Sequence, residues 1–152
     1  MKSIISKSLP ETGKIAEDWL EKVSNNSNDD SALVVGLNGH LGSGKTAFVQ
    51  AVADALGIKE HTTSPTFVLM KIYETRHAKF NRLVHIDAYR LEKPEELEAL
   101  DFERLVADSR NLILIEWSDN VKEALPVEYL RIDFEAVGEN ERKITFGDSA
   151  EV

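Results

Sequence analysis

The chain has 152 residues, 27 of them Asp or Glu and 18 Lys or Arg, which gives a formal charge of −9. With 42% hydrophobic and 30% charged residues this is a globular composition, sized for one domain over residues 1–152, and its negative charge argues against an independent binder of nucleic acid or anionic membrane. Cysteine is absent, which excludes disulfide staples, thiol nucleophiles and thiolate zinc sites and agrees with a reducing cytoplasm.

In chain order, the first lysines, Lys2 and Lys7, interrupt the N-terminus before an apolar leader core forms, so no signal peptide is expected. No apolar run approaches the roughly 18–20 residues that span a bilayer. Residues 3–8 fit a short edge strand. Ile15, Trp19, Leu20 and Val23 recur at helical spacing after Pro10 and predict a helix over 10–24. The polar stretch 25–31 reads as a solvated loop. A continuous apolar strand follows at 32–38, of the type buried on both faces of a parallel sheet. A glycine-rich loop leads into a helix over 45–56, stopped at Gly57. Strands are expected at 66–74, 82–87 and 111–116, and Pro94 opens a helix rich in acids in its first turn. Strands at 128–136 and 142–146, joined by Gly138-Glu139-Asn140, read as a hairpin. This order predicts a three-layer α/β fold: a central, mostly parallel sheet with antiparallel edge strands.

The segment Gly39-His40-Leu41-Gly42-Ser43-Gly44-Lys45-Thr46 matches G-x-x-x-x-G-K-[ST] in full. Glycines let backbone amides turn toward phosphate oxygens where a side chain would obstruct them. The following helix adds its positive N-terminal end, Lys45 reaches the terminal phosphates, and the Thr46 hydroxyl ligates Mg²⁺. A buried strand before the loop and an amphipathic helix after it supply the context this motif requires, so the expected fold is that of a P-loop NTPase. Leu41, Ser43 and Ala47 complete the expected nucleotide contacts. The local positive potential reconciles a polyanionic ligand with a chain of charge −9.

Such a loop needs an acid on a neighbouring strand to hold the metal, directly or through water. Asp87 ends Leu83-Val84-His85-Ile86 and Glu116 ends Leu112-Ile113-Leu114-Ile115; either can also cap a helix or form a surface ion pair. Thr62-Thr63-Ser64-Pro65-Thr66 lies where nucleotide-sensing loops occur, so Ser64, Pro65 and Thr66 are switch-loop candidates, with an ordinary turn as the plain alternative. Asp54-Ala55-Leu56-Gly57 fits D-x-x-G but sits on a helix, and no N-K-x-D segment exists, which disfavours a GTPase. His40, His61, His77 and His85 have no metal-ligand spacing and read as surface or core residues. Trp117, directly after Glu116, reads as core packing or as a neighbour of the nucleotide.

Taken together, the phosphate loop, Thr63-Ser64-Pro65-Thr66-Phe67, His85-x-Asp87-x-Tyr89-Arg90-Leu91, Pro94-Glu95-Glu96-Leu97 and Ile115-Glu116-Trp117 resemble the TsaE (YjeE) family of small bacterial P-loop ATPases. The resemblance covers roughly residues 9–146. It implies a cytoplasmic ATPase serving tRNA N6-threonylcarbamoyladenosine synthesis with the TsaB–TsaD pair, with ATP and Mg²⁺ as cofactors, slow turnover without partners, and tRNA met only within the complex. It gives Lys45 the phosphate role, Thr46 and Glu116 the Mg²⁺ roles, and Asp87 a place near the γ-phosphate. Trp117 takes the position beside the nucleotide, and Thr12 one near it. The chain departs from the family at His40, where Asp is usual, and at Ala88, where Leu is frequent; neither change removes a phosphate or metal ligand. Two other classes fit the loop alone: a small-molecule kinase, for which Arg76, Lys79 and Arg82 form the only basic loop cluster, and a nucleotide-gated binding module with negligible hydrolysis.

Overall fold

The computed structural model describes residues 2–26, 30–60 and 69–147, and the chain enters it through β1 (Lys2–Ser6). Helix α1 (Leu9–Asn26) follows at once because Ser8 and Glu11 cap it. The Glu11 amide donates to Ser8 Oγ at 3.1 Å, and the Lys7 amide donates to Glu11 Oε2 at 2.7 Å, so two otherwise orphaned donors are satisfied reciprocally. Pro10 falls in the first turn, where its missing N–H costs nothing. This cap starts the helix one residue before the predicted 10–24 and shortens the edge strand from the expected 3–8.

Strand β2 (Leu33–Asn38) runs into the glycine-rich loop and then α2 (Lys45–Ala55). Gly57 ends that helix at φ 81°, where a side chain would be strained. Strand β3 (Met70–Glu74) is the described part of the expected 66–74; residues 66–68, like Ser64 and Pro65, lie outside the described residues. Strand β4 (Arg82–Asp87) has the expected bounds. The helix opened by Pro94 is two short pieces, α3 (Glu95–Glu98) and α4 (Phe102–Val106), because Asp101 takes φ 60° and ends the run. Strand β5 (Asn111–Glu116) is followed by a 3-10 segment, Ser118–Ala124, absent from the predicted elements, and by the hairpin β6 (Leu130–Ala136) and β7 (Arg142–Phe146).

All seven described strands form one sheet in the order β1-β7-β6-β2-β5-β4-β3. The four central strands, β6, β2, β5 and β4, are mutually parallel, whereas β1, β7 and β3 pair antiparallel at the edges. Alternation along the strands divides the core in two. Val35, Leu37, Leu112 and Leu114 pack with Trp19 of α1 and Phe48 of α2 on one face. Val34, Val84, Ile113 and Ile115 pack with Leu97, Phe102 and Val121 on the other. The predicted three-layer arrangement is therefore the observed one. Strands β5 and β6 flank β2, so successive connections leave its carboxyl end on opposite sides and open a crevice there. Among the described residues no helix is long and apolar enough to cross a membrane.

Candidate functional site

The glycine loop occupies that crevice because three of its glycines take positive φ: 153° at Gly39, 78° at Gly42 and 110° at Gly44. At Gly39 the space is closed as well. A Cβ there would lie 2.5 Å from the Phe134 carbonyl oxygen and 2.6 Å from Ser43 Oγ, so the loop folds flat against β6 only with glycine. Beneath it Phe48 and Phe134 meet edge to face at 5.4 Å, giving the loop a rigid floor. Above, a Cβ at Gly42 would meet nothing within 4 Å, because that residue faces open space. Ser43 Oγ is buried without a hydrogen-bond partner among the described residues, a polar atom left available for a ligand.

Lys45 opens α2 and is 5% exposed. Its ammonium donates to the Gly39 carbonyl, and to His40 O at 3.1 Å, and lies 4.3 Å from the centroid of the Trp117 ring. Burial pushes its pKa below the ordinary lysine value, although the Glu116 and Asp87 carboxylates oppose that shift. Both acids end central strands on the sheet face that carries α2: Asp87 pairs in register with Glu116 across β4 and β5. Glu116 is 3% exposed, and its Oε2 lies 2.6 Å from Nε2 of the fully buried His85. The Tyr89 amide donates to Asp87 Oδ1 at 3.0 Å, turning the chain just past β4.

Trp117 takes φ 59°, a left-handed conformation that is uncommon for an aromatic residue. Its backbone is held by neighbouring strand ends: the Trp117 amide donates to Leu37 O at 2.9 Å, and Asn38 Nδ2 donates to Ser118 Oγ at 2.7 Å. The constraint turns the ring back over Lys45 and against Tyr89, with ring centroids 5.0 Å apart.

These groups line one cleft of about 980 Å³. Thr12, Leu41, Gly42, Ser43, Gly44, Lys45, Thr46, Ala47, Asp87, Glu116 and Trp117 all border it, so the structure brings together residues that the sequence separates by up to 105 positions. Gly39 does not border it and instead shapes the loop from below. Ser64, Pro65 and Thr66 lie outside the described residues. Thr12 is 6% exposed and bonds Ser6 through hydroxyls 2.6 Å apart, tying the β1–α1 junction to the cleft wall.

Two residues, one at the cleft edge and one buried behind it, are not marked as site residues by the sequence pattern. Arg142 borders the cleft, and its Nε donates to Gly42 O at 3.0 Å. That contact spans 100 residues and leaves no local signal. His85, expected at the surface or in the core, is fully buried, and its period-two spacing from Asp87 on a strand puts the two on a shared face. Arg131 lies outside the cleft, paired with Asp119 at 2.5 Å and Asp133 at 3.0 Å.

The hydroxyl of Thr46 and the carboxylates of Asp87 and Glu116 are hard oxygen donors, the set preferred by Mg²⁺. Among the described residues no cluster of three or more His, Cys, Asp or Glu is placed to hold a metal. A cation here would complete its shell with phosphate and water oxygens, the usual habit of Mg²⁺.

Fold and crevice define a three-layer α/β protein whose glycine loop follows the central strand and faces acids on the two strands beside it. Residues 6–144 match the family described as threonylcarbamoyl adenosine biosynthesis protein TsaE. This chain belongs to the TsaE family. It is 40% identical over 110 residues to a tRNA threonylcarbamoyladenosine biosynthesis protein TsaE of Rickettsia prowazekii, covering 72% of this chain and 73% of the relative. It is 38% identical over 113 residues to the Bacillus subtilis protein of the same description, covering 74% and 68%. The crystal structure of Bacillus subtilis YdiB superposes with a TM-score of 0.70 at 28% identity, over 99% of this chain and 88% of that one.

Proposed function

We propose that this chain binds ATP with Mg²⁺ in the cleft and hydrolyses it to support tRNA N6-threonylcarbamoyladenosine synthesis, acting in the cytoplasm with a TsaB–TsaD pair. The observation that carries this reading is convergence: the loop, Lys45, Thr46, Asp87, Glu116 and Trp117 border one cavity of about 980 Å³, a volume suited to a nucleoside triphosphate. Family membership and the names of the relatives support the tRNA-modification role.

The loop amides and Lys45 bind and orient the phosphates. Thr46 and Glu116 hold the cation, with Asp87 beside them at the acidic end. A bound Mg²⁺ supplies charge neutralisation on the phosphates. Lys45, already partly desolvated, exchanges its contacts with the Gly39 and His40 carbonyls for phosphate oxygens at little ordering cost, because α2 fixes its backbone. The kinase alternative finds less support: Arg76, Lys79 and Arg82 do not border the cleft, and Arg82 is paired with Asp108 at 2.5 Å.

Single substitutions test the reading. Lys45→Ala and Glu116→Ala are expected to abolish hydrolysis and to fail in restoring the tRNA modification to cells lacking the native protein. Wild-type behaviour from either variant rejects the role assignment. With ATP labelled at the γ-phosphate, inorganic phosphate is the expected sole labelled product, and a phosphorylated metabolite favours the kinase.

A further inference from the structure

The pair formed by His85 and Glu116 is not used by the function proposed above. β4 and β5 run parallel with His85 opposite Leu114 and Asp87 opposite Glu116. The period of two along a strand therefore sends His85, Asp87 and Glu116 to one face. On that face Leu83 and Leu114 are already core residues packed with α2, so an apolar side chain would fill the place of His85 without difficulty. Instead a fully buried imidazole stands there, its Nδ1 without a hydrogen-bond partner among the described residues and its Nε2 2.6 Å from Glu116 Oε2. An ionised carboxylate only accepts hydrogen bonds, so the donor in this pair is His85 Nε2–H. The second Glu116 oxygen, Oε1, accepts no hydrogen bond from any described residue, while the residue borders the cleft.

We propose that His85 is a positioning residue: by donating Nε2–H to Glu116 Oε2 it fixes the carboxylate rotation and leaves Oε1 for the cation of the adjoining phosphate loop. The inference rests on the nucleotide reading above. Its principle is that a partner behind a ligating carboxylate sets ligand orientation and metal affinity.

Two amide variants separate positioning from filling. In His85→Gln the amide nitrogen falls near the place of Nε2 and still reaches Glu116; in His85→Asn it falls near the place of Nδ1 and does not. ADP binding is measured calorimetrically across a Mg²⁺ series and without Mg²⁺. The expected result is that Asn raises the Mg²⁺ needed for tight ADP binding by about tenfold or more, while Gln stays within roughly threefold of wild type. Mg²⁺-free ADP affinity should be unchanged in both. Equal Mg²⁺ requirements in the two variants, whether raised or normal, overturn the proposal. Nitrogen-15 spectra of the unsubstituted chain give a second reading that needs no folded variant: His85 protonated at Nε2 supports the bond, and the Nδ1–H tautomer overturns it. If unsubstituted protein binds no ADP with or without Mg²⁺, the proposed function fails, and the spectra still judge the pair.

Discussion

The ammonium of Lys45 sits 4.3 Å above the ring of Trp117, so the first residue of α2 and the residue just past β5 close on each other across the glycine loop. A cation held over an indole face contributes about 0.5–2 kcal/mol, depending on desolvation. Phosphates that draw Lys45 toward themselves must change that contact, and indole emission reports it. The only other tryptophan, Trp19, is 4% exposed and packs against Phe48 in the core. ADP with Mg²⁺ is therefore expected to change the emission of the unsubstituted chain and to leave that of Trp117→Phe constant. A ligand-dependent signal that survives in Trp117→Phe would place the reporting event elsewhere.

Lys45 also makes stability depend on pH. Its pKa is lowered in the folded chain, first by burial. Below that lowered value both folded and unfolded chains hold the proton, and the desolvation penalty is present in full. Between it and the ordinary value of about 10.4 the unfolded chain binds the proton and the folded chain does not, so raising the pH favours folding. Relative to Lys45→Met, the thermal midpoint of the unsubstituted protein should rise as pH climbs through that window. Parallel midpoint curves for the two proteins would show that burial does not strain this lysine.

Much of the fold was legible because its elements are locally determined. The apolar run of β2, the glycines after it and the amphipathic α2 state their structure within 25 residues, and the acids ending β4 and β5 stand where a parallel sheet places its crevice. What escaped depends on distant partners or on a single backbone conformation. The 3-10 segment Ser118–Ala124 is held by Asn38, which bonds both Ser118 and the Asp119 amide from 80 residues away. The break between α3 and α4 follows from one left-handed residue, Asp101, that helix periodicity does not reveal. The His85–Glu116 pair required the register of two strands to be known.

Arg142 ties the loop to the β6–β7 hairpin. Its Nε donates to Gly42 O at 3.0 Å, and its Nη1 to Gly138 O at 3.2 Å and Glu141 O at 3.0 Å. Removing the guanidinium frees a loop carbonyl at the cleft edge without opening the core, because the Arg142 side-chain bonds lie at the exposed start of β7. Arg142→Met, which keeps most of the stem, should weaken ADP binding roughly tenfold, the equivalent of about 1.5 kcal/mol for a charge-assisted bond. The thermal midpoint should move little. Unchanged affinity in a titration would mean that the loop keeps its shape without this tie.

Gly36 of β2 lies against Ser118 of the 3-10 segment with no room for a side chain. A Cβ there would lie 2.3 Å from Ser118 Oγ and 2.8 Å from Ser118 Cβ, both short of any tolerable approach. Gly36→Ala must push Ser118 away, and with it the Asn38–Ser118 hydrogen bond of 2.7 Å. Overpacking of this kind costs about 1–3 kcal/mol, which for a chain of this size lowers the midpoint by roughly 2–4 °C per kcal/mol. Trp117 directly precedes the displaced residue, so its emission should shift along with the midpoint. Ser118→Gly is destabilising by itself, since it leaves Asn38 Nδ2 without its acceptor. Combined with Gly36→Ala it removes both clashing atoms, and the double variant should be more stable than the sum of the two losses by about 0.5 kcal/mol or more. Strict additivity in denaturant melts would mean that the strain of Gly36→Ala is absorbed elsewhere, as at Tyr129 Cε2, 3.1 Å from the same Cβ position.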